Sequence, residues 1–280
     1  MRRRAPYRGD MTIAPSPTPA TLAAFGVAGT PVTRLDGGRG LAWRAGSIVL
    51  RPHDALDEAR WKSDVLSRIE HTSSFCTARP VASATGGWVH DGWEAWTWLP
   101  GAAAEDRVVD VIAAGRLFHA AVAGLSRPAF LDASDSPWSI ADRMAWEEVP
   151  YPGGPILSRL AREFRPVQGP AQLIHGDLLG NVLFSPARPP AVIDWAPYWR
   201  PVGLGDAIAA VDAVCWHDWP ADRVFELGHD VPQWSQLLLR ALFFRMTVLH
   251  LLDALDDDIA ARHGPLTRVL LAALGDPSTT

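Results

Sequence analysis

The chain has 280 residues, of which 48% are hydrophobic and 20% charged, and its formal net charge is −5. This size and apolar content allow one large domain or two lobes around a buried core, and they exclude a chain that is disordered throughout. The acidic balance argues against nucleic acid as the main partner, since phosphate backbones attract basic surfaces. It is compatible with a cationic or neutral small ligand.

The cysteines and the first residues bear on the cellular compartment. Cys76 and Cys215 are far apart and belong to no CxxC or Cys/His cluster. This spacing argues against a disulfide framework and against a zinc site, and it favours the reducing cytoplasm. Residues 1–4 are basic, but no apolar stretch follows, which argues against a secretory signal. Met11 is an alternative start.

The most apolar late stretch runs from Leu237 to Leu252. Arg240 and Arg245 interrupt it, and it is short for a transmembrane helix. The pattern therefore predicts a buried helix, and we expect no membrane partner.

The first hundred residues predict a β-rich lobe with one long helix. Residues 1–18 show no apolar periodicity and predict a flexible leader. Thr18-Pro19 is typical of a helix start, and Gly26 ends that short helix. Turn residues then separate short apolar runs, which indicates an antiparallel sheet. The predicted strands are 32–35, 41–44, 48–52, 88–89 and 93–99, with a helix over 56–69.

From residue 107 the pattern becomes mainly helical. The predicted helices are 108–123, 141–147, 156–164, 206–214, 234–255 and 266–274. Two short apolar runs, 173–174 and 191–193, predict buried strands that we expect to be neighbours. The chain therefore predicts an α+β, bilobal architecture, with an N-lobe over 19–101 and a C-lobe over 102–280.

The most informative motif follows the first of these two strands. His175-Gly176-Asp177 comes after it, Asn181 follows after three residues, and Asp194 comes directly after the second strand. Each of these residues is common in turns. Together they supply two carboxylates and one carboxamide at one place, which is what phosphoryl transfer requires for a catalytic base and for Mg²⁺.

This segment resembles the aminoglycoside phosphotransferase and choline kinase group of the protein kinase-like fold, and most of all an actinobacterial branch of it. The resemblance extends over most of residues 30–255, but only residues 173–200 are specific. It implies that Asp177 is the catalytic base and that Asn181 and Asp194 bind the metal. It also implies that His175 and Gly176 support the loop.

Two features depart from the family pattern. Three residues separate Asp177 from Asn181 where the family has four, so the loop must take another path. The family's Gly-Asp-Pro-x-x-Asp motif is also altered, because Ala207 replaces the Pro and Ala210 replaces the last Asp. That Asp normally supports the catalytic loop, so we expect Asp212 or another residue to replace it.

The resemblance also implies nucleotide contacts in the N-lobe. Arg51 stands where the family has a strand lysine that binds phosphates, and Glu58 on the next helix is its expected partner, with Asp57 second. Arg binds phosphates differently from Lys, and a solvated Arg is an equally good interpretation. The turn around Gly38 is expected to cover the phosphates through its backbone N–H groups, although a hairpin turn without a ligand is an equal alternative.

Two aromatic segments complete the expected site. Trp98 and Leu99 end a strand in the position of the hinge that holds the adenine ring, although tryptophans there more often pack in a core. Tyr198, Trp199 and Arg200 follow the second metal ligand. They either bind the acceptor or brace the loop.

We therefore expect a phosphotransferase that uses ATP or GTP with Mg²⁺ and phosphorylates a small hydroxylated molecule. The second hypothesis is a degenerate kinase-fold protein that binds a nucleotide or a partner without turnover. A third is an α+β hydrolase that uses His175 and Asp177, which no nucleophile motif supports. The sequence does not indicate the acceptor, the choice between ATP and GTP, or the oligomeric state.

Overall fold

The computed structural model describes residues 16–36 and 40–275. The predicted leader up to residue 15 and the predicted phosphate-covering residue Gly38 lie outside the described residues. Within the described part, the chain forms two compact units. The first contains residues 16–102 with that gap, together with 183–193, and the second contains 103–182 and 194–275. The lobe boundaries at residues 18 and 101 stay a prediction.

Elements up to residue 103 are mostly short strands. They are α1 (Pro19–Ala24), β1 (Val32–Arg34), β2 (Trp43–Ala45), β3 (Ile48–Pro52), α2 (Leu56–Arg68), β4 (Cys76–Thr77), β5 (Val89–His90), β6 (Trp93–Thr97) and β7 (Ala102–Ala103).

Helices dominate from residue 108 onward. The elements there are α3 (Val108–Val122), α4 (Phe130–Ala133), α5 (Pro137–Ala145), α6 (Pro155–Ala161), β8 (Ala171–His175), β9 (Val182–Ser185), β10 (Arg188–Val192), β11 (Pro197–Pro201), α7 (Gly203–Trp216), a 3₁₀ helix (Ala221–Gly228), α8 (Trp234–Leu251) and α9 (Asp257–Gly275).

The main sheet of the first unit is antiparallel, in the order β1-β2-β3-β6-β5. Alternate residues of β3, Ile48 and Leu50, point to one face and are buried there with Ala95 of β6. Leu22 and Phe25 pack on the same core. Burial therefore alternates along the first residues of β3, and one face of this strand lines the core.

A second sheet has the order β4-β10-β9-β7. Its β10 pairs with β4 in parallel, with Ala191 opposite Cys76 and Val192 opposite Thr77. Residues 183–193 are thus grouped with the first unit although they come late in the chain.

The second unit is helical around one two-stranded ladder. Nearly every side chain of α7 and α8 is buried, and these two helices pack on each other. Strand β8 pairs antiparallel with β11, with His175 opposite Pro197 and Pro201 opposite Ala171. This ladder ends where the candidate catalytic loop begins.

The prediction that the strands near residues 173–174 and 191–193 are neighbours was wrong. Strand β8 pairs with β11, whereas β10 pairs with β9 and β4. Strand β11 was not predicted because it begins at Pro197 and ends at Pro201. Proline has no backbone N–H to donate to a β-ladder. A two-stranded ladder tolerates them, since each strand has one unpaired edge.

Several helix ends also differ from the prediction, most of all the start of α9. α9 starts at Asp257 and runs through Pro265, whereas the proline predicted a start at Leu266. The buried stripe formed by Ile259, His263, Leu266 and Leu270 has helical spacing, and its burial keeps the helix continuous.

α8 ends at Leu251, four residues earlier than predicted. There Asp253 adopts a left-handed conformation with φ of 53°, and the Ala254 N–H donates to the Leu249 carbonyl at 2.8 Å. Such a backbone reversal ends a helix.

Within the described residues, we find no helix with the length and apolar character needed to cross a membrane. Cys76 and Cys215 are both free and buried.

Candidate active site

The β8–β11 ladder brings Asp177 and Asp194 to the same place in the second unit. Asp177 follows the last residue of β8 by two positions, and Asp194 precedes the first residue of β11 by three. Because the strands are antiparallel, the end of β8 lies beside the start of β11. The Gly176 N–H extends the ladder by donating to the Ala196 carbonyl at 2.9 Å. Both carboxylates therefore lie at one end of the ladder.

A tight turn closes the short loop from Asp177 to Asn181. The Asn181 N–H donates to the Leu178 carbonyl at 2.9 Å, and Gly180 has φ of +90°. Glycine at the third position of a turn tolerates this positive φ, which other residues rarely adopt. The loop thus returns with one residue fewer than the family pattern has.

This turn places the Asn181 side chain on Asp177. Its Nδ2 donates to the Asp177 carbonyl at 2.7 Å and to Oδ2 of the Asp177 carboxylate at 3.2 Å. Because the amide nitrogen makes both bonds, Oδ1 is the atom of Asn181 that remains for a cation.

Arg245 holds the other oxygen of the Asp177 carboxylate. Its Nη2 donates to Oδ1 at 2.6 Å. The Asp177 side chain nevertheless remains 47% exposed. The carboxylate is therefore fixed on its inner side and open to a ligand on the other.

Asp194 is exposed and lies in the left-handed region, with φ of 50°. A non-glycine residue in this region carries backbone strain, which persists only where neighbouring contacts hold it. Trp195 provides such contacts, since its Nε1 donates to the Ile174 carbonyl at 3.0 Å and its ring packs edge-on against Phe118. The buried tryptophan thus fixes the position of Asp194.

Two buried histidines, His119 and His175, form a chain of hydrogen bonds that ends at the Asp177 backbone. The Asp177 N–H donates to Nδ1 of His175 at 3.1 Å, and the His175 N–H donates to Nε2 of His119 at 3.0 Å. Burial, with smaller effects of His175 and Arg116, lowers the pKa of His119 to about 3. His119 is therefore neutral and accepts a hydrogen bond where the sequence indicated only a core or surface residue.

Gly176 allows the loop to pass close to an aromatic ring. A Cβ at this position would lie 2.4 Å from Cδ2 of Tyr198. The Tyr198 ring in turn packs edge-on against Phe244, with 5.8 Å between the ring centroids. The Tyr198 ring therefore packs against both Gly176 and Phe244 of α8.

Arg200 is engaged in buried ion pairs. Its Nε and Nη2 donate to the Asp142 carboxylate at 2.7 to 3.1 Å, and its Nη1 donates to Glu148 at 2.5 Å. Burial raises the pKa of Asp142, and Arg200 acts in the opposite direction. Trp199, between Tyr198 and Arg200 on β11, is half-buried. An acceptor contact by Arg200 would have to compete with these ion pairs.

In the first unit the expected pairing of Arg51 with Glu58 is wrong. Arg51 on β3 donates from Nε to Glu94 on the facing position of β6. Glu58 instead pairs with Lys62, one turn further along α2, at 2.9 Å. Lys62 is the one lysine of the sequence and is buried. Glu94 lies directly opposite Arg51 in the β3–β6 register, and side chains at such cross-strand positions are in contact distance.

In the expected adenine-binding segment, the backbone N–H of Trp98 is already hydrogen-bonded within the first unit. The Trp98 N–H donates to the Ser47 carbonyl at 2.8 Å, and Arg44 stacks on the Trp98 ring at 4.3 Å. An adenine ring would therefore have to use other backbone groups, of which those of the neighbouring Leu99 are nearest in the chain.

The altered Gly-Asp motif contributes Asp206, a buried carboxylate in the first turn of α7 that pairs with Arg116 of α3. Arg116 donates from Nε to Asp206 at 2.7 Å and from both Nη atoms to Asp230 at 2.7 and 3.0 Å. Burial raises the pKa of Asp206 from 3.8 to about 6, although Arg116 acts in the opposite direction. Ala210, at the position of the family's last Asp, is buried and contributes no polar group.

Asp212 reaches the catalytic loop through a residue that the sequence analysis missed. Arg245 donates from Nε to Asp212 at 2.9 Å while it holds Asp177. The signal was present, because a charged residue in an otherwise apolar helix needs a buried partner.

The donor set fits a magnesium ion that is shared with phosphates. Among residues 16–36 and 40–275, no group of three or more His, Cys, Asp or Glu side chains could hold a metal alone. Mg²⁺ usually takes one or two protein oxygens and completes its shell with phosphates and water. Oδ1 of Asn181 and the exposed carboxylate of Asp194 match that requirement.

The fold is shared with solved phosphotransferases. A thermostable mutant of aminoglycoside phosphotransferase APH(4)-Ia, solved with AMP-PNP and hygromycin B, is 17% identical, with 91% of this chain and 98% of that chain covered and a TM-score of 0.59. An aminoglycoside phosphotransferase from Alicyclobacillus acidocaldarius is 14% identical, with 95% and 98% covered and a TM-score of 0.58. The spectinomycin phosphotransferase APH(9)-Ia, bound to AMP, is 12% identical, with 91% and 96% covered and a TM-score of 0.53.

These likenesses confirm the predicted α+β, protein kinase-like fold, with an antiparallel N-terminal sheet and a helical C-terminal part. No curated protein is similar enough to match. The predicted actinobacterial branch stays a prediction. Residues 44–251, well over half of the chain, match the model of the APH phosphotransferase enzyme family. The chain therefore belongs to the APH family of phosphotransferase enzymes.

Proposed function

We propose that this protein transfers the γ-phosphoryl group of ATP or GTP to a hydroxyl of a small molecule, with Asp177 as the catalytic base. The observation that carries this proposal is the Asp177 carboxylate. Asn181 and Arg245 each hold one of its oxygens, yet the side chain remains nearly half exposed at the ladder end that also carries Asp194. A base for a bound hydroxyl must be fixed and accessible in this way.

The proposed step needs little covalent chemistry from the protein. The acceptor hydroxyl donates a hydrogen bond to Asp177, and its oxygen attacks the γ-phosphorus. The bond from that phosphorus to the β,γ-bridging oxygen breaks, the hydroxyl proton moves to Asp177, and the nucleoside diphosphate leaves. Most of the rate enhancement then comes from positioning and from charge stabilisation.

Asn181 and Asp194 are the residues that we propose to hold Mg²⁺. When bound, the ion neutralises negative charge on the phosphates. In the first unit, we propose that Arg51, about a quarter exposed beside the buried Glu94, contacts the phosphates. We keep Gly38 as a phosphate-covering residue and the backbone at Leu99 as an adenine-binding group.

The proposed acceptor class follows from the ligands of similar structures, and the proposed acceptor contacts follow from the position of β11. Two of the similar structures contain hygromycin B or spectinomycin, which are both hydroxylated antibiotics. We therefore propose aminoglycosides and related antibiotics as the first acceptors to test, followed by amino alcohols and sugars. Tyr198 and Trp199, both half-buried on β11 close to the loop, are the proposed acceptor contacts.

The test is a transfer assay with each nucleotide, Mg²⁺ and a panel of these acceptors. Phosphorylated products are identified by mass spectrometry, and nucleoside diphosphate release is measured in parallel. We expect a product with wild type and a loss of roughly 100-fold or more in Asp177→Asn, which keeps the size of the side chain but not the base. A product formed equally well by Asp177→Asn would exclude Asp177 as the base.

The second candidate is a degenerate kinase-fold protein that binds a nucleotide without turnover. The pairing of Arg51 with Glu94 favours it, because the buried carboxylate competes with phosphates for the guanidinium. This candidate predicts nucleotide binding with no product from any acceptor on the panel. Under this candidate Asp177 is not a base, so Asp177→Asn should leave nucleotide binding unchanged.

A further inference from the structure

Arg245 is a buried charge in the apolar helix α8. Only 3% of the residue is exposed, and its neighbours along the helix are leucine, phenylalanine, methionine and valine side chains. A guanidinium is costly to bury unless carboxylates and hydrogen bonds compensate for the lost water. The carboxylates that pair with Arg245 therefore indicate the role of this buried positive charge.

Those partners are one buried and one exposed carboxylate. Asp212, on α7, is 7% exposed and accepts from Nε of Arg245 at 2.9 Å and from Nη2. Asp177 accepts from the same Nη2 at 2.6 Å. The guanidinium is planar and rigid, so an arginine anchored on Asp212 presents the second hydrogen of Nη2 to Asp177 in one fixed direction.

This arrangement determines the orientation of the Asp177 carboxylate. Oδ1 is held by Arg245, and Oδ2 is held by Asn181. Rotation of the carboxylate about its last torsion would break both bonds. The lone pairs that face solvent, and hence the direction in which a hydroxyl can bind, are therefore set by the protein before a ligand arrives.

We propose that Arg245, anchored by Asp212, is a positioning residue that orients Asp177 toward the acceptor hydroxyl. This inference rests on the proposed function of Asp177. Asp212 also occupies the supporting role that the family motif gives to the Asp replaced here by Ala210, but it acts through Arg245 and not by itself. Arg245 touches neither the acceptor nor the nucleotide in this proposal.

The kinetic test compares two arginines of one helix. Arg240 is as deeply buried as Arg245, but it pairs with Glu147, and five residues of α-helix separate the two by about 140° around the axis. We expect Arg245→Met to lower kcat roughly 10- to 100-fold, with the KM for Mg-nucleotide changed by less than about twofold. Arg240→Met should leave kcat unchanged. Arg245→Lys should have a kcat between those of Arg245→Met and wild type, because lysine restores the positive charge but not the planar guanidinium with its paired N–H donors.

An equal kcat in Arg245→Met and Arg240→Met would overturn the proposal. Arg245→Met leaves Asp212 buried without its partner, so it can fail to fold. In that case Arg245→Lys carries the test, since it keeps a positive charge beside Asp212. An Arg245→Lys variant with the wild-type kcat would then refute a need for the guanidinium.

A second measurement separates this inference from the proposed function. A double-mutant cycle on Arg245→Lys and Asp177→Asn measures their coupling in the unfolding equilibrium and needs no substrate. We expect a coupling of roughly five- to tenfold in the equilibrium constant. If wild type phosphorylates no acceptor but the coupling is present, the proposed function fails while Arg245 still positions Asp177. If the effects of the two substitutions on the free energy of unfolding are additive, the positioning role is rejected, whatever the enzymatic activity.

Discussion

Asp206 makes the stability of the protein depend on pH in a direction opposite to that of most ion-paired carboxylates. It is buried in α7 with Arg116 as its partner, and its Oδ1 has no hydrogen-bond partner among the described residues. Burial raises the pKa of Asp206 from 3.8 to about 6. The folded protein therefore binds this proton more tightly than the unfolded chain does. Its contribution to stability is fully present below about pH 3.8 and is lost as the pH rises through about 6.

The size of the effect follows from the two pKa values. One pKa unit corresponds to about 1.4 kcal/mol, and a group with pKa values of 3.8 unfolded and about 6 folded loses about 2 kcal/mol of stability between about pH 4.5 and about pH 7.5. Asp206→Asn cannot titrate. The free energy of unfolding of wild type, minus that of Asp206→Asn, should therefore fall by about 2 kcal/mol over this range.

The assay is urea unfolding of both proteins at closely spaced pH values, because other titrating groups cancel in the difference. Asp230 provides the matched control, since it pairs with the same Arg116 but is exposed. The hydrogen bond from Arg116 lowers the pKa of Asp230, so its contribution is lost as the pH falls, with the opposite sign. A difference for Asp206→Asn that does not change with pH would refute the claim that burial outweighs Arg116.

Three further predictions concern the packing around the catalytic loop. Gly176→Ala should lower stability by about 1 to 3 kcal/mol in urea unfolding, because its Cβ would lie 2.4 Å from the Tyr198 ring, and an unchanged midpoint would contradict this close packing. His119→Phe should cost about 1 to 3 kcal/mol by removing the acceptor of the buried His175 N–H. Because burial lowers the pKa of His119 to about 3, wild type should lose part of this advantage as the pH falls below about 6.5, and a constant advantage would count against a neutral His119. Gly205→Ala should lower the thermal midpoint, since its Cβ would lie 2.5 Å from Cε1 of His119. Gly124→Ala is the control without a clash, because no atom lies within 4 Å of its Cβ and its φ is not positive.

Much of the site could be predicted because its residues are local in sequence. His175, Gly176, Asp177 and Asn181 lie within seven positions, so a strand followed by a tight turn is enough to bring them together. The structure places Asn181 on Asp177 despite the shortened loop, because Gly180 can adopt a positive φ. Local patterns of this kind can be recognised in the sequence without knowledge of the fold.

The contacts that depend on distant elements were not predictable from one sequence. Arg245 and Asp212 lie on different helices, and which side of α8 faces Asp177 is decided by the packing of α7 on α8. Likewise, Arg51 pairs with Glu94 because the register of β3 and β6 places them opposite each other. Helical and strand periodicity give the buried face of an element but not its partner.

Strand β11 shows how a tertiary context can override a local rule. Prolines at both of its ends argue against a strand, yet β11 completes the ladder that carries Asp194 to Asp177. The sequence analysis expected Asp194 beside Asp177 through a strand pair that does not form. The buried Trp195 anchors this segment by donating a hydrogen bond to the Ile174 carbonyl.

We propose that Asp194 and Asn181 hold a Mg-nucleotide beside Asp177. Titration calorimetry with ATP and GTP, with and without Mg²⁺, tests it most directly, on wild type and on Asp194→Ala. We expect binding that requires Mg²⁺ and is lost in Asp194→Ala, while Asp218→Ala, which removes another aspartate of positive φ, binds like wild type. Absence of binding by wild type at millimolar nucleotide, or equal binding by Asp194→Ala, would contradict the account.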